Sequence, residues 1–215
     1  NEDDSFIIDE LFDRKNIIVR KSVNLSKQSH ILASNVDQAI LVVTMKSPQT
    51  STGFIDRFLV SAQAYGVDVI ILFNKTDLYD QVTLALLEER RSIYQKIGYR
   101  CLSKSTLNDD LSDIKELMKD KVNVISGHSG VGKSTLLNSI QPNLNITTQE
   151  ISEQHQQGQH TTTFSEMYDL DFGASIIDTP GVRGFGLSEI DKYELGDYFV
   201  AVSYTHLRAH ETDYY

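Results

Sequence analysis

The sequence predicts an α/β fold, a three-layer sandwich in which helices cover both faces of a mostly parallel sheet. Three observations predict it. Near-continuous apolar runs, Ala39-Ile40-Leu41-Val42-Val43 and Val69-Ile70-Ile71-Leu72-Phe73, suit strands buried on both faces. Segments with apolar residues at helical spacing alternate with those runs. A further short strand runs into a glycine-rich loop that opens a helix.

The elements follow in order. Residues 16–20 (Asn-Ile-Ile-Val-Arg) read as a short strand, and 36–45 as a buried one. Residues 52–64 place Phe54, Ile55, Phe58, Leu59 and Ala62 on one helical face. A second buried strand spans 67–73. Residues 81–97 form a helix that Gly98 ends as a C-terminal cap. Residues 99–102 give a third strand of the series, and 110–119 a helix with Leu111, Ile114, Leu117 and Met118 on one face. A strand at 122–126 precedes the glycine-rich loop, and a helix starts near Lys133. Residues 143–162 are polar, rich in Gln and Thr, and lack periodicity; such a stretch in a compact domain is commonly functional. Strands at 164–170 and 174–177 and a last helix at 188–199 complete the pattern.

Composition narrows the function classes. The 215 residues carry 20 basic and 30 acidic side chains, a net charge of -10, which argues against nucleic-acid binding by bulk charge alone. The single cysteine, Cys101, excludes an internal disulfide framework and a multi-cysteine zinc site built by these residues alone. No apolar run approaches the roughly 20 residues of a membrane-spanning helix. No secretory signal opens the chain, so a cytoplasmic location and no membrane partner are expected. The first residue, Asn1, suggests that sequence precedes it.

The strongest motif is Gly127-His128-Ser129-Gly130-Val131-Gly132-Lys133-Ser134, the pattern G-x-x-x-x-G-K-[ST] of a phosphate-binding P-loop. Backbone N–H groups from Gly127, Ser129, Gly130, Val131, Gly132 and on to Thr135 would close around phosphate oxygens, helped by the helix N-terminus. Lys133 would reach the β- and γ-phosphates, and the Ser134 hydroxyl would hold Mg²⁺. The alternative is a chance glycine-rich turn, but a strand before and an apolar helix after fit the phosphate reading.

Asp178-Thr179-Pro180-Gly181 ends a predicted strand. Alone it is a common turn. Downstream of a P-loop and a polar loop, it reads as a switch segment in which Asp178 serves the Mg²⁺ shell and the Gly181 N–H meets the γ-phosphate. Asn74-Lys75-Thr76-Asp77 follows the strand at 67–73. The pattern N-K-x-D selects guanine, because the Asp carboxylate accepts from both N1–H and the 2-amino group, a donor pair that adenine lacks. Asn74 would brace the loop and Lys75 would lie over the base. Standing alone, this too would be a polar turn; the three motifs together favour GTP over ATP.

Their order is the unusual feature. In a Ras-like G domain the P-loop comes first, whereas here N-K-x-D precedes it by about fifty residues. The chain therefore reads as a circularly permuted Ras-like G domain, with the same sheet and relocated termini. It resembles the circularly permuted GTPases and, among them, the small ribosomal subunit biogenesis GTPase family. Gly158-Gln159-His160-Thr161-Thr162-Thr163 resembles that family's switch I motif, Asp178 to Gly186 its extended switch II, and Ile55-Asp56-Arg57-Phe58-Leu59 its first helix. The resemblance covers about residues 14 to 199.

The resemblance implies a GTP hydrolase that serves late assembly of the small (30S) ribosomal subunit, contacts rRNA, and works as a monomer. It makes Thr162 the switch I threonine on Mg²⁺ and the γ-phosphate. It puts Ser105, followed by Thr106 where the family often has Ala, beside the guanine. Val182 stands where Ras has a water-orienting Gln, and the resemblance makes His160 the candidate for that task. His128 and His155 are given no catalytic role. A non-hydrolysing guanine-nucleotide binding fragment and a P-loop ATPase are the alternative readings.

At the ends, residues 1–30 are expected to be a remnant of an N-terminal OB-type β-barrel with its linker, and 31–199 the G domain. The family continues into a zinc-binding region whose ligands are absent from these 215 residues. Residues 200–215 resemble a translated sequencing adapter and are expected to be non-native, so the His206/His210 pair is discounted.

Overall fold

The computed structural model describes residues 9–21, 29–144, 165–179 and 195–200. Within them, a six-stranded sheet has the order β5-β4-β3-β6-β8-β7. Its strands are β3 (Gln38–Thr44), β4 (Asp68–Asn74), β5 (Arg100–Ser103), β6 (Val122–Ser126), β7 (Glu166–Asp169) and β8 (Ser175–Asp178). All neighbours pair in parallel except β7, which runs antiparallel to β8 at the edge. A separate antiparallel pair joins β1 (Ile17–Lys21) to β2 (Ser29–Ser34).

Up to residue 179, the predicted strands and helices that fall within the described residues are present with small shifts at their ends. The apolar runs occupy the centre of the sheet, where all seven residues of β3 are buried. α1 (Thr52–Ala64) starts where the Ser51 side chain accepts from the Phe54 N–H. α2 (Gln81–Lys96) starts where Asp80 accepts from the Thr83 N–H, and Gly98, at φ +102°, follows its end. α3 (Ser112–Met118) is shorter than the expected 110–119, because Asp110 accepts from both the backbone and the hydroxyl of Ser112 just before the first turn. β2 was not expected from the sequence. Of the expected last helix, only a 3₁₀ turn, Leu195–Tyr198, falls within the described residues.

Two apolar layers flank the sheet. On one face Phe54, Ile55, Phe58 and Leu59 of α1 and Leu87 and Tyr94 of α2 pack on Ala39, Leu41 and Val43. On the other, Ile114 and Met118 of α3 and Leu136, Leu137 and Ile140 of α4 (Lys133–Ile140) pack on Ile40 and Val42. Alternate β3 residues thus serve opposite layers, which is why the strand lacks a polar face. The Phe54 and Phe58 rings are each 1% exposed. Burial of one such side chain contributes about 2–3 kcal/mol.

The β1–β2 pair is fastened to the sheet by Asn16. Its amide donates to the Val36 and Gly66 carbonyls and accepts from the Val36 N–H.

Parallel strands bring their carboxyl-end loops to one edge of the sheet, where α/β proteins bind ligands. The loops after β3, β4, β5 and β6 meet there, beside the end of β8. The P-loop, the Asn74–Asp77 motif and the described start of the third motif, Asp178 and Thr179, are far apart in the chain and arrive at this edge together.

Candidate functional site

The P-loop begins at the end of β6, the strand between β3 and β8. Its two framing glycines are required by shape. A Cβ on Gly127, which has φ +148°, would lie 2.3 Å from the Val42 carbonyl oxygen. A Cβ on Gly132, at φ +101°, would lie 2.4 Å from Asn74 Nδ2. Gly132→Ala is therefore expected to combine backbone strain with displacement of Asn74. It should cost about 2 kcal/mol in a denaturant melt and weaken nucleotide binding in a parallel titration.

α4 starts at Lys133, directly after that glycine, so its first turn faces the loop. Lys133 Nζ donates to the Gly127 and His128 carbonyls at 2.9 and 3.0 Å, and the side chain is largely buried. Burial lowers its pKa to about 8, partly offset by the negative charge of Asp178. Asp178 closes β8 opposite Ile125 of β6 and is 4% exposed. Burial raises its pKa, and the Lys133 charge opposes that rise. Thr179 fixes the chain beyond it by donating from its hydroxyl to the Ile125 carbonyl at 2.8 Å.

Asp178 Oδ1 is buried with no hydrogen-bond partner among the described residues. A buried carboxylate oxygen without a donor is costly unless a cation or water serves it. Together with Ser134 in the first turn of α4, it is a donor set of the kind that fits Mg²⁺, a hard cation held by few protein oxygens. The residues fit the ion that the resemblance implies.

The Asn74–Asp77 motif lies at the end of β4. Asn74 is 1% exposed and ties three loops together. Its amide donates to the Val131 carbonyl of the P-loop at 2.9 Å, and its oxygen accepts from the Thr106 N–H at 3.1 Å. The bracing role expected of Asn74 thus has a physical form. Lys75 sits at φ +64°, and its Nζ donates to the Ser47 carbonyl at 2.6 Å. Burial lowers the Lys75 pKa, with the Asp77 charge opposing. Asp77 lies exposed in the 3₁₀ turn Thr76–Leu78.

Ser105 and Thr106 follow β5 and are buried beside this turn. Asp109 accepts from the Ser105 N–H at 2.7 Å, and the Ser105 hydroxyl has no partner among the described residues. Ser129 is exposed and Gly130 half-buried on the loop, whereas the Val131 side chain is fully buried in the core. Only the backbone of Val131 can therefore serve a ligand. Thr135 is half-buried in the first turn of α4. His160, Thr162 and Gly181 lie outside the described residues.

Two contacts at the site have no signature in the sequence. His128, inside the P-loop, stacks on Phe54 of α1 with ring centroids 3.9 Å apart at 31°. That contact joins the loop to the core and carries no sequence signature. Tyr79 was not singled out either, although its hydroxyl bonds the backbone of two site loops.

A sequence model of the RsgA GTPase family matches residues 11–188. The chain is 56% identical over 196 residues to the small ribosomal subunit biogenesis GTPase RsgA of Flavobacterium psychrophilum, covering 89% of this chain and 59% of that one. It is 53% identical over 200 residues to the protein of the same name from Bacteroides fragilis, covering 93% and 64%. Among solved structures, YjeQ from Thermotoga maritima superposes with a TM-score of 0.70 at 36% identity, covering 89% of this chain and 60% of that one. YloQ, described as a circularly permuted GTPase, superposes with a TM-score of 0.62 at 30% identity, covering 87% and 63%. The chain spans about three fifths of the length of the curated relatives it matches. The permuted motif order, the sheet built on it and the length of the match agree: the chain belongs to the RsgA GTPase family.

Proposed function

We propose that the chain binds GTP with Mg²⁺ and hydrolyses it to GDP and phosphate, as a late assembly factor of the small ribosomal subunit. One observation carries this reading: a single buried side chain, Asn74, bonds both the P-loop at Val131 and the guanine-side loop at Thr106. Phosphate and base recognition are thereby set in one rigid unit, as a nucleoside triphosphate site requires. The relatives named as small ribosomal subunit biogenesis GTPases support the hydrolase reading and the partner. In this proposal residues 31–199 form the G domain and the β1–β2 pair belongs to an N-terminal OB-type barrel. The protein acts as a monomer in the cytoplasm and contacts rRNA.

In the proposed reaction water attacks the γ-phosphorus and the β–γ bridging oxygen leaves with its electron pair. The P-loop N–H groups and Lys133 hold the phosphate oxygens as charge develops. Ser134, Asp178 and Thr162 would hold Mg²⁺, which would supply neutralisation of the charge that develops on the phosphate oxygens. Asp77 accepts from the guanine N1–H and 2-amino group. His160, carried by switch I, orients the attacking water, since the valine at 182 has no polar group for that work. Gly181 bonds the γ-phosphate and couples its loss to release of the switch segments.

Competition binding tests the base assignment: GTP is expected to displace a labelled guanine nucleotide far better than ATP, and equal affinities refute it. Single-turnover hydrolysis tests the chemistry. His160→Ala is expected to lower the rate by about 10²-fold, with and without ribosomal subunits, while nucleotide affinity stays within about threefold. An unchanged rate removes His160 from the mechanism.

A further inference from the structure

Tyr79 belongs to none of the recognised motifs, yet it joins the two loops that frame the base side of the site. Its side chain is buried at 8% exposure. The hydroxyl accepts from the Met45 N–H at 2.8 Å and donates to the Asn74 carbonyl at 2.5 Å. Thr44 and Asn74 form the last paired rung between β3 and β4. Just past that rung the chains diverge, because Lys75 turns to a left-handed conformation at φ +64°. The phenol oxygen spans the place where the ladder's next bond would fall. Burial raises the Tyr79 pKa, so the hydroxyl keeps its proton and can donate at neutral pH.

The same residue also closes the turn that carries Asp77. The Tyr79 N–H caps the 3₁₀ turn by donating to the Thr76 carbonyl at 3.2 Å. The segment 74–79 is therefore held by Tyr79 at both ends, through the hydroxyl to Asn74 and through the backbone to Thr76. Two further ties connect the same loops, Lys46 Nζ to Asp80 Oδ2 at 2.8 Å and Lys75 Nζ to the Ser47 carbonyl at 2.6 Å. The Lys46–Asp80 pair is solvent-exposed, and exposed pairs add little rigidity. The buried hydroxyl is the member of the set that water cannot replace without opening the core.

We propose that Tyr79 is a positioning residue for nucleobase selection, setting through Asn74 and the Thr76–Leu78 turn the orientation at which the Asp77 carboxylate meets the base. This rests on the guanine-nucleotide reading above. A carboxylate that accepts two bonds from one base edge needs a fixed orientation, and a loosened turn loses the second bond first. Inosine nucleotides report that loss directly, because hypoxanthine keeps N1–H and lacks the 2-amino group.

The test measures dissociation constants for GDP and IDP, with ADP as reference, on the whole chain and on Tyr79→Phe. Phenylalanine keeps the ring and removes only the hydroxyl. The parent is expected to prefer GDP over IDP by about tenfold or more. Tyr79→Phe is expected to reduce that preference at least about fivefold, with the saturated hydrolysis rate changed less than about twofold. The ratio of two affinities does not depend on how much of the sample is folded, so a simple loss of stability leaves it unchanged. Should Tyr79→Phe melt too low to assay, Tyr79→Met is read in the same way. A preserved GDP:IDP preference in the variant overturns the proposal. A parent that fails to distinguish GDP from ADP overturns the guanine reading itself, and this inference with it.

Discussion

Asp77→Asn is expected to turn a guanine site into a xanthine site. In the proposed site the carboxylate presents two acceptors to N1–H and the 2-amino group; an amide presents one acceptor and one donor group. Its NH₂ meets the guanine 2-amino group donor to donor, and the paired bonds are lost. Xanthine carries a carbonyl at C2, which accepts from that NH₂. GTP affinity should fall by about 10²- to 10⁴-fold, and XTP should become the better ligand. Asp77 lies exposed on a turn, so stability should stay within about 0.5 kcal/mol. A folded variant that still prefers GTP would show that this carboxylate does not meet the base.

Lys133→Met should act on the phosphate end with a comparable effect. The amine is aimed into the P-loop by the Gly127 and His128 carbonyls, and it is the one cationic side chain within the motif. Without it, charge developing on the phosphate oxygens loses a preorganised counter-charge, and hydrolysis should fall by about 10³-fold. The variant also has a signature in the protein alone. Burial lowers the Lys133 pKa from the ordinary 10.5 to about 8. Between those values the unfolded chain binds a proton that the folded chain does not, so stability rises with pH across that window. Below about pH 8 both states are protonated and the cost of burying the charge is fully present, up to about 3 kcal/mol. Thermal melts from pH 7 to 10.5 should show the parent's stability rising with pH relative to that of Lys133→Met, which keeps the other titrating groups. An identical pH dependence in both would mean that the amine is solvated.

The layer structure was legible because the relevant signals are local. The short, β-branched-rich runs at 39–43 and 69–73 suit strands buried on both faces, and the glycine pattern at 127–134 is expected between a strand and a helix. β2 was not legible. Its sequence, Ser-His-Ile-Leu-Ala-Ser, has no clear alternation, and it forms a strand only by pairing with β1. The start of α3 falls two residues later than the spacing suggests, because Asp110 looks helical by spacing while its side chain accepts from Ser112. At the site, the motifs singled out Asn74, Lys133 and Asp178, because the chemistry expected of them is tied to spacing in the chain. Tyr79 and the Phe54–His128 stack join loops that meet only after the sheet has formed. No pattern within one segment announces such contacts.

The position of β6 has a consequence for the birth of the protein. β3 lies between β4 and β6, yet β6 begins 78 residues after β3 ends (Val122 against Thr44). At roughly 5–20 residues per second, translation leaves β3 and β4 waiting for several seconds with one long apolar edge open. By the end of that interval the segments proposed to read the base, 74–78 and 105–106, have been translated, while the proposed phosphate loop, 127–134, has not. In the proposed reading, GTP cannot template the segment that precedes Val122. Nascent chains stalled before Val122 should therefore be the form most in need of chaperone cover, and nucleotide should give them none.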